Sequence, residues 1–410
     1  MPRLRLATWA LVAAAGCGPA GPRPARLDAS KATAIHVATV GGATRYCAGS
    51  DGPQLDVVVT TSDGKRLDTW SQGESRDGKL PFNTFEWTAS WGQVDGDGFV
   101  RLPDDAIAAI GRPVTVEVRV AERPDLVGAV ELVPDFGCGG TFGASGTSGA
   151  SGYSGDDGAY GRDGAAGDET RAGGRGEDGG DAGDGDDGSP GGPGPRVEAA
   201  VAYVDTADGR RLAVLRVWSG GTVETTVFDP AGQPWAVAAY GGAGGSGGRG
   251  GRGGAGGKGG DGERATSGDS SSGSGSGSSG TPGTPGTDGG PGGDGGRGGD
   301  GGRGGDGGPG GEIVLVYDAG FPDLAGLVHL DNRGGRPGDG GWGGDGGSGG
   351  GGGAGERRGY DGRAGAGGRA GAAGRPGPAG PRPTVQGGDV RQTFADLEAR
   401  GLTLAIPHPR

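Results

Sequence analysis

Apolar and polar residues alternate in several short runs along two separate parts of the chain. A period of two is typical of strands that bury one face. The clearest runs are Leu55, Val57, Val59; Phe85, Trp87, Ala89, Trp91; Val114, Val116, Val118, Val120; and Val197, Ala199, Val201, Tyr203. Turn sequences such as Ser62-Asp63-Gly64-Lys65 separate them. The pattern therefore predicts a mostly β protein with one β region between 34 and 138 and another after 196.

The second β region cannot be complete in one stretch. It contains four predicted strands between 196 and 240, and a sheet of that size needs partners for stability. Apolar runs within 312–334 and 384–410 supply candidates, so the three stretches together predict a second small β module. The tail also holds a helix-like stretch, with Asp389 as its N-cap and Gly401 as its C′ residue.

Glycine dominates the rest of the chain, with 109 of 410 residues. It recurs at every third position in three blocks, which are a Gly-X-X block at 139–195, a Gly-Gly-X block at 241–311 and a third glycine-rich block at 335–383. A period of three matches neither helix nor strand. It matches polyproline II, which has three residues per turn and rises about 3.1 Å per residue.

Each glycine block is interrupted near its middle, at 168–172, 263–276 and 356–358. If each interruption is a reversal, three blocks become about six threads, and the chain returns to the β module after each excursion. A thread has three faces, and a Cβ on any inward face would hold a neighbour away. Gly-Gly-X threads are therefore predicted inside the array and Gly-X-X threads outside it.

Two alternatives to this array stay open. The repeat resembles collagen, in which three chains wind together and only glycine fits at the axis. The chain has only 27 prolines and the blocks are poor in them, which is unusual for collagen. Glycine- and serine-rich sequence is also flexible by default, as expected at Ser267–Ser279. The Gly-Gly-X and Gly-X-X pattern resembles, in repeat texture, that of polyglycine-II antifreeze proteins, phage adhesin tips and the glycine-rich domain of Obg GTPases, and this resemblance favours an intrachain array.

The N-terminus has the features of an export signal. Arg3 and Arg5 precede an apolar run at 6–15 that is too short to span a bilayer. The run ends at Ala14-Ala15-Gly16-Cys17, which resembles the lipobox of bacterial lipoproteins. The resemblance implies a lipoprotein signal peptide at 1–17, with lipid attached at Cys17, and outer-membrane or cell-surface localisation. Residues 18–33 then form a tether.

Two cysteines remain if Cys17 carries lipid. An even pair in an oxidising compartment predicts a disulfide between Cys47 and Cys138, with two free thiols as the alternative. Short strands with a long-range cysteine pair indicate an immunoglobulin-like β-sandwich over 34–138. Trp70, Trp87 and Trp91 are predicted to be core residues of that sandwich.

The sequence contains no motif that predicts catalysis, metal binding or nucleic-acid binding. The net charge of -13 disfavours nucleic-acid partners, which need a basic surface. His36, His329 and His408 are scattered without metal-ligand spacing, so no metal, cofactor or catalytic residue is predicted. The acidic run Asp181–Asp187 is interpreted as a solvated edge rather than a calcium site. The alternating charges of 294–306 are expected to lie too far apart for pairs within one thread.

These observations predict a non-enzymatic cell-envelope lipoprotein with a structural or adhesive role. The alternative is a ligand-binding surface module, in which the N-terminal sandwich binds glycan or protein and the glycine region is a stalk or trimer. The predicted partners are the membrane, through the lipid anchor, and a protein or glycan ligand. A monomer is favoured over a collagen-like trimer.

Overall fold

The computed structural model describes residues 23–267 and 283–407. The predicted signal peptide, Cys17, most of the tether and nearly all of Ser267–Ser279 lie outside these ranges. The strands are β1 Ala32–Thr39, β2 Arg45–Cys47, β3 Leu55–Thr61, β4 Arg66–Asp68, β5 Phe85–Ala89, β6 Gln93–Val94, β7 Val100–Arg101, β8 Val114–Val120, β9 Arg123–Asp135, β10 Thr141–Ser145, β11 Val197–Asp205, β12 Arg211–Ser219, β13 Thr222–Phe228, β14 Trp235–Tyr240, β15 Ile313–Asp318, β16 Val328–Asp331, β17 Thr384–Gly388 and β18 Thr403–Leu404. Short 3-10 helices cover Ala29–Lys31, Phe82–Thr84, Pro322–Gly326 and Gln392–Arg400. The mostly β prediction is confirmed.

The described chain divides into two units. The first ends at Cys138 and also takes in Thr206–Leu212 and Thr226–Gly232. The second contains Gly139–Asp205, Ala213–Thr225 and the chain from Gln233 onward.

The first unit holds three sheets. They have the strand orders β1-β3-β4, β2-β9-β8-β5 and β6-β7. All pairs are antiparallel except β2 with β9, which run parallel. Every second residue of β3 and β8 is buried, as the alternation predicted. The fully buried side chains include Leu55, Val57, Val59, Val114, Val116, Val118 and Leu132. These form the hydrophobic core of this unit.

The predicted disulfide is present in the first unit. Cys47 at the end of β2 is bonded to Cys138, with a Cα–Cα distance of 5.7 Å. The two cysteines are 91 residues apart in sequence. The bond therefore joins the end of β2 to the residue at which the first continuous stretch of this unit ends.

Two further sheets, most of whose residues belong to the second unit, are built from distant parts of the chain. One is all parallel, with the order β10-β14-β16. The other has the order β13-β12-β11-β15-β17, with parallel pairing of β11, β15 and β17, and β18 pairs antiparallel with β11. Strand β10 differs from the sequence interpretation, which began a glycine block at 139. Phe142 in β10 stacks on the Trp235 ring of β14, with centroids 4.9 Å apart, which explains why this glycine-containing stretch pairs as a strand.

The C-terminal helix also differs in detail from its prediction. It begins after Arg391, which has no side-chain cap, whereas Asp389 accepts a hydrogen bond from the Arg391 N–H at 3.0 Å in a turn before the helix. Asp389 is therefore not the N-cap. Gly401 ends the helix in the left-handed region at φ 79°, a conformation that glycine adopts without strain.

Six glycine segments connect the strands of these two sheets. We number them 1 to 6 along the chain, as 146–167, 173–194, 241–262, 289–311, 335–353 and 359–380. Strands β10, β14 and β16 lead into segments 1, 3 and 5. Segments 2, 4 and 6 lead into strands β11, β15 and β17. Each parallel strand triplet therefore continues as a triplet of glycine segments.

Backbone hydrogen bonds join the segments in two patterns. Parallel neighbours are bonded at every third residue, as from the Gly149 N–H to the Ala243 oxygen and from the Gly244 N–H to the Arg336 oxygen. These bonds define an odd layer of segments 1, 3 and 5 and an even layer of segments 2, 4 and 6. Antiparallel bonds then connect the layers, as from the Gly302 N–H to the Gly248 oxygen at 2.9 Å.

The register of the strands passes unchanged into the segments. Ser145 pairs with Tyr240 at the end of the parallel sheet, and the next residue, Gly146, donates to the Tyr240 oxygen at 2.8 Å. The same continuity holds in the even layer, where Gly194 donates to Pro309 and Val197 to Glu312, both at 2.8 Å. Pairing in the sheets and pairing in the segments are therefore parts of one arrangement.

Candidate functional site: the outer faces of the glycine segments

The two glycines of a Gly-Gly-X triplet face two different neighbours. A Cβ added to Gly301 would meet the Gly341 carbonyl of segment 5, and one added to Gly302 would meet the Asp186 carbonyl of segment 2. Both contacts would be shorter than 3.0 Å, a distance that real Cβ atoms essentially never show. The third residue, Arg303, is exposed. Side chains are thus confined to the outer faces, and the inner positions contain backbone alone.

Aspartate side chains on these faces bind the backbone of the next segment. In the even layer, each carboxylate accepts the outward N–H of a residue on the neighbouring parallel segment, at 2.6 to 2.8 Å. The donor and acceptor pairs are Asp294 to Asp178, Arg297 to Asp181, Asp300 to Asp184, and Arg303 to Asp187. The run Asp181–Asp187 therefore has a structural use, since it satisfies N–H groups that no glycine segment reaches.

Charged pairs also form along single segments, which corrects one sequence expectation. Arg297 Nη2 lies 2.8 Å from Asp300 Oδ1, and Arg303 Nη2 lies 2.8 Å from Asp306 Oδ1. The expectation that residues three apart cannot pair was wrong, because the long arginine side chain spans the rise of three residues. Exposed pairs of this kind contribute little stability individually.

The hydrogen bonds to the aspartates change their acidity. The backbone N–H of Arg369, together with the Arg297 guanidinium, lowers the pKa of Asp300 from its ordinary value. The Lys258 ammonium and the backbone N–H of Ala354 lower the pKa of Asp261 in the same way. Both carboxylates are fully ionised near neutral pH, and the ionised form is the one that accepts the bonds.

The faces also carry large aromatic side chains in contact with solvent. Tyr160 is 82% exposed and Trp342 is 76% exposed in the odd layer, and Tyr360 is 86% exposed in the even layer. Single exposed aromatic residues are common on protein surfaces, but these three stand at outward positions of a regular scaffold. The sequence reasoning missed them. The glycine period could have predicted their exposure, because each of the three aromatic residues occupies a non-glycine position of a glycine triplet, and such positions face outward.

A groove crosses the odd layer beside Tyr160. It is about 390 Å³ in volume, and its side-chain lining comes from all three segments of the layer: Asp157, Tyr160, Arg252, Ala255, Asp345 and Ser348. Asp345 Oδ2 lies 3.7 Å from Arg249 Nη2 and 3.5 Å from Arg252 Nη2. Asp157 accepts the backbone N–H of Arg252 at 2.7 Å. The carboxylates and guanidinium groups here are thus oriented by one another and by the backbone.

A second cavity lies in the first unit. Its volume is about 370 Å³, and its lining includes Trp70, Arg76, Lys79, Phe82 and Asp97. The Arg76 guanidinium lies 4.1 Å from the Trp70 ring centroid and is paired with Asp97 at 3.3 Å. Trp87 and Trp91 pack against the core, as predicted, whereas Trp70 lines this cavity. Hydrogen bonding to Asp68 raises the pKa of Lys79 and keeps it charged.

The remaining predicted site residues have different outcomes. Cys47 and Cys138 form the disulfide. Cys17 lies outside the described residues, so lipidation stays a prediction. Among residues 23–267 and 283–407, no cluster of three or more His, Cys, Asp or Glu side chains has a metal-binding arrangement. Within the same ranges, no helix has the length and apolarity needed to cross a membrane.

Comparisons with known proteins give no relative. The chain matches no family model, no curated protein and no solved structure.

Proposed function

We propose that this protein is a non-enzymatic cell-envelope lipoprotein whose glycine segments provide a stiff structural or adhesive surface. The observation that carries the proposal is the continuous set of backbone hydrogen bonds linking all six segments into two layers. Glycine-rich sequence without such bonds is flexible. A bonded array instead holds its outward side chains at fixed spacings, which is what a contact surface requires.

The finer fold proposed for the segments is a polyglycine-II array of six threads. Support comes from bonds that recur every third residue and from the absence of left-handed φ values among the segment glycines described. Weak Cα–H···O contacts add to such packing, at about 0.5–1 kcal/mol each. A thread of 22 residues is then roughly 70 Å long. Inward N–H groups of the segments, such as that of Gly302, already have acceptors on neighbouring segments of the same chain, which favours a monomer over a collagen-like trimer.

For the first unit, we propose an immunoglobulin-like sandwich. Support comes from its short, mostly antiparallel strands around one apolar core. The disulfide is unlike that of antibody domains, because it connects β2 to the residue three positions after β9, its neighbour in the same sheet. It joins neighbouring strands rather than opposing sheets.

The proposed location is the outer membrane or cell surface, reached by export and lipid attachment at Cys17. The residues that support it are the lipobox-like sequence before Cys17 and the disulfide, which forms in oxidising compartments.

The experiment that tests this location replaces Cys17 with serine in the full chain. Cys17→Ser removes the thiol that lipid modification requires, so we expect the protein to move from the membrane fraction to the soluble fraction of a Gram-negative host. Gly18→Ala is the matched control and should stay with the membrane. Equal membrane recovery of Cys17→Ser and the control would contradict lipid anchoring.

The second candidate is a ligand-binding module that acts through the first unit. The cavity beside Trp70 favours it, because aromatic and charged side chains meet there in an open pocket. In this alternative the N-terminal unit binds glycan or protein, and the glycine segments only hold it away from the membrane.

A further inference from the structure

The groove beside Tyr160 is lined by all three segments of the odd layer. The register of the backbone hydrogen bonds places the lining residues of the groove at the same height along the three parallel segments. Gly158 donates to Arg252 and Gly161 to Ala255, so Tyr160 lies level with the stretch between Arg252 and Ala255. Gly253 donates to Asp345 and Gly256 to Ser348, which brings segment 5 to the same level.

The small residues of segments 3 and 5 create the recess. Ala255 and Ser348 stand at outward positions where other triplets carry Arg249, Arg252 or Trp342. With short side chains on two segments and Tyr160 on the third, a molecule can rest on backbone and lie against the ring. The backbone floor is held at every third residue by hydrogen bonds, so the recess is formed before a ligand arrives.

The groove lining carries two carboxylates and one guanidinium group, and a second guanidinium group, that of Arg249, lies beside it. Arg249 and Arg252 share Asp345, and Asp157 binds the backbone beside them. Oriented carboxylates and guanidinium groups recognise hydroxyls, because the former accept and the latter donate hydrogen bonds. A highly charged ligand would face nearby groups of its own sign, and a purely apolar one would leave these groups without partners.

An exposed aromatic ring beside such groups suits one ligand class. The face of an aromatic ring carries partial negative charge and attracts the polarised C–H groups on the flat side of a sugar ring. Asp345 and Arg252 line the same groove and offer an acceptor and donors to sugar hydroxyls. Trp342 lies three residues before Asp345 on segment 5, about 9 Å along it, where a chain of sugars could continue.

We propose that the groove formed by Asp157, Tyr160, Arg252, Ala255, Asp345 and Ser348 binds a neutral oligosaccharide. The inference rests on the proposed adhesive function and specifies its ligand class. Tyr160 provides the stacking surface, and Arg252 and Asp345 provide the hydroxyl contacts. This groove lies on the odd layer of glycine segments, and none of its lining residues lines the cavity beside Trp70.

The test is calorimetric titration of the full chain with cellotetraose, chitotetraose and maltotetraose. We expect at least one of these neutral tetrasaccharides to bind with a Kd in the range of about 0.1–1 mM, and Tyr160→Ala to weaken it about tenfold or more. Tyr160→Phe should retain binding, since it keeps the ring. Tyr360→Ala, which removes an equally exposed ring from the even layer, is the matched control and should bind as the parent does.

Several outcomes would overturn the proposal. It fails if none of the three sugars binds at about 10 mM, well above the expected Kd. It fails if Tyr160→Ala and Tyr360→Ala bind equally well. It also fails if Trp70→Ala abolishes binding while Tyr160→Ala does not, because the site would then be in the first unit. Preference for an acidic peptide over all three sugars would assign the groove to a protein partner instead.

A second measurement separates this failure from failure of the proposed function. Amide hydrogen exchange of the same samples reports whether the glycine segments are protected. Protected segments without sugar binding would remove only the groove proposal. Rapid exchange throughout the segments would instead remove the stiff surface on which the proposed function depends.

Discussion

The first unit and the glycine segments are both built from extended backbone, but they fill their interiors in opposite ways. In the first unit, side chains such as Leu55, Val57 and Val116 are fully buried between strands. In the segments, the inner positions carry no side chain, and an added Cβ at Gly302 would overlap a carbonyl group. One interior depends on side-chain volume and the other on its absence.

The comparison shows two solutions to the same requirement. Buried backbone groups must be hydrogen-bonded, and close packing must exclude water. Sheets achieve this with paired strands separated from other layers by apolar side chains. The segments achieve it with backbone against backbone, because each Gly-Gly-X triplet can bond to a parallel and an antiparallel neighbour. A methyl group should therefore stabilise one interior and disrupt the other.

The largest expected effect tests the first unit. Leu55→Ala removes a fully buried side chain and leaves a cavity, so we expect a loss of roughly 2–5 kcal/mol in the free energy of unfolding. Amide hydrogen exchange by mass spectrometry should show the loss within 32–135 and normal protection in the glycine segments. The control is Val127→Ala, which is 44% exposed and should change little. Equal effects of the two variants would contradict the assigned core.

The second largest effect is expected when a methyl group is added to the interior of the glycine segments. Gly302→Ala adds one methyl group that overlaps the Asp186 carbonyl, so segments 2 and 4 must move apart. We expect a loss of about 1–3 kcal/mol, as for overpacked cores, with faster amide exchange in both segments.

The matched control for this substitution is Gly351→Ala. An added Cβ at Gly351 would meet only Asp361 Oδ1, at 3.9 Å, which is ordinary contact. Because alanine restricts the unfolded chain more than glycine does, we expect no loss and a gain of up to about 1 kcal/mol. If Gly302→Ala were as well tolerated as Gly351→Ala, close backbone packing in the segments would be disproved.

The smallest expected effect is on pH dependence. The lowered pKa values of Asp300 and Asp261 mean that the unfolded chain binds protons at higher pH than the folded one. Their contribution is therefore present above the unfolded pKa of about 4 and is lost as pH falls through the lower folded value. Thermal melts of the glycine segments should shift downward on acidification below about pH 4.

Asp300→Asn supplies the comparison for the acid experiment. An amide oxygen can still accept the Arg369 N–H but does not titrate in this range. We expect the variant to melt somewhat lower at neutral pH and to lose less on acidification. A parent protein whose segments become more stable in acid would contradict the assigned role of these carboxylates.

Much of the fold follows from local patterns. Alternation at Leu55–Val59 and Val114–Val120 predicted strands correctly, and cysteine number predicted the Cys47–Cys138 bond. The glycine phase indicated six segments that reverse and return, and strand β15 does pair with β11 across the intervening segments. The strands and segments can be predicted because the period of a sequence pattern fixes which side of the backbone each residue occupies. The disulfide can be predicted because two cysteines have only each other as partners.

Other features could not be read from these patterns. The charges at Arg297 and Asp300 pair along one segment, which depends on side-chain reach. Asp389 does not cap its helix, since the helix starts two residues later than the pattern suggested. The groove beside Tyr160 combines residues from three segments, and their relative register is not written in any one of them.

By itself, the sequence determined where side chains are absent, because a missing Cβ every third residue is a local property of the chain. It also determined which stretches have one apolar face. Only the tertiary structure decided that the segments join as two layers continuous with two triplets of parallel strands, and which outward residues become neighbours. The physical reason is that a backbone N–H can bond to any carbonyl within reach, so glycine repeats alone do not specify their partners. The flanking strands fix the register, and the register brings Tyr160, Arg252 and Asp345 to one level.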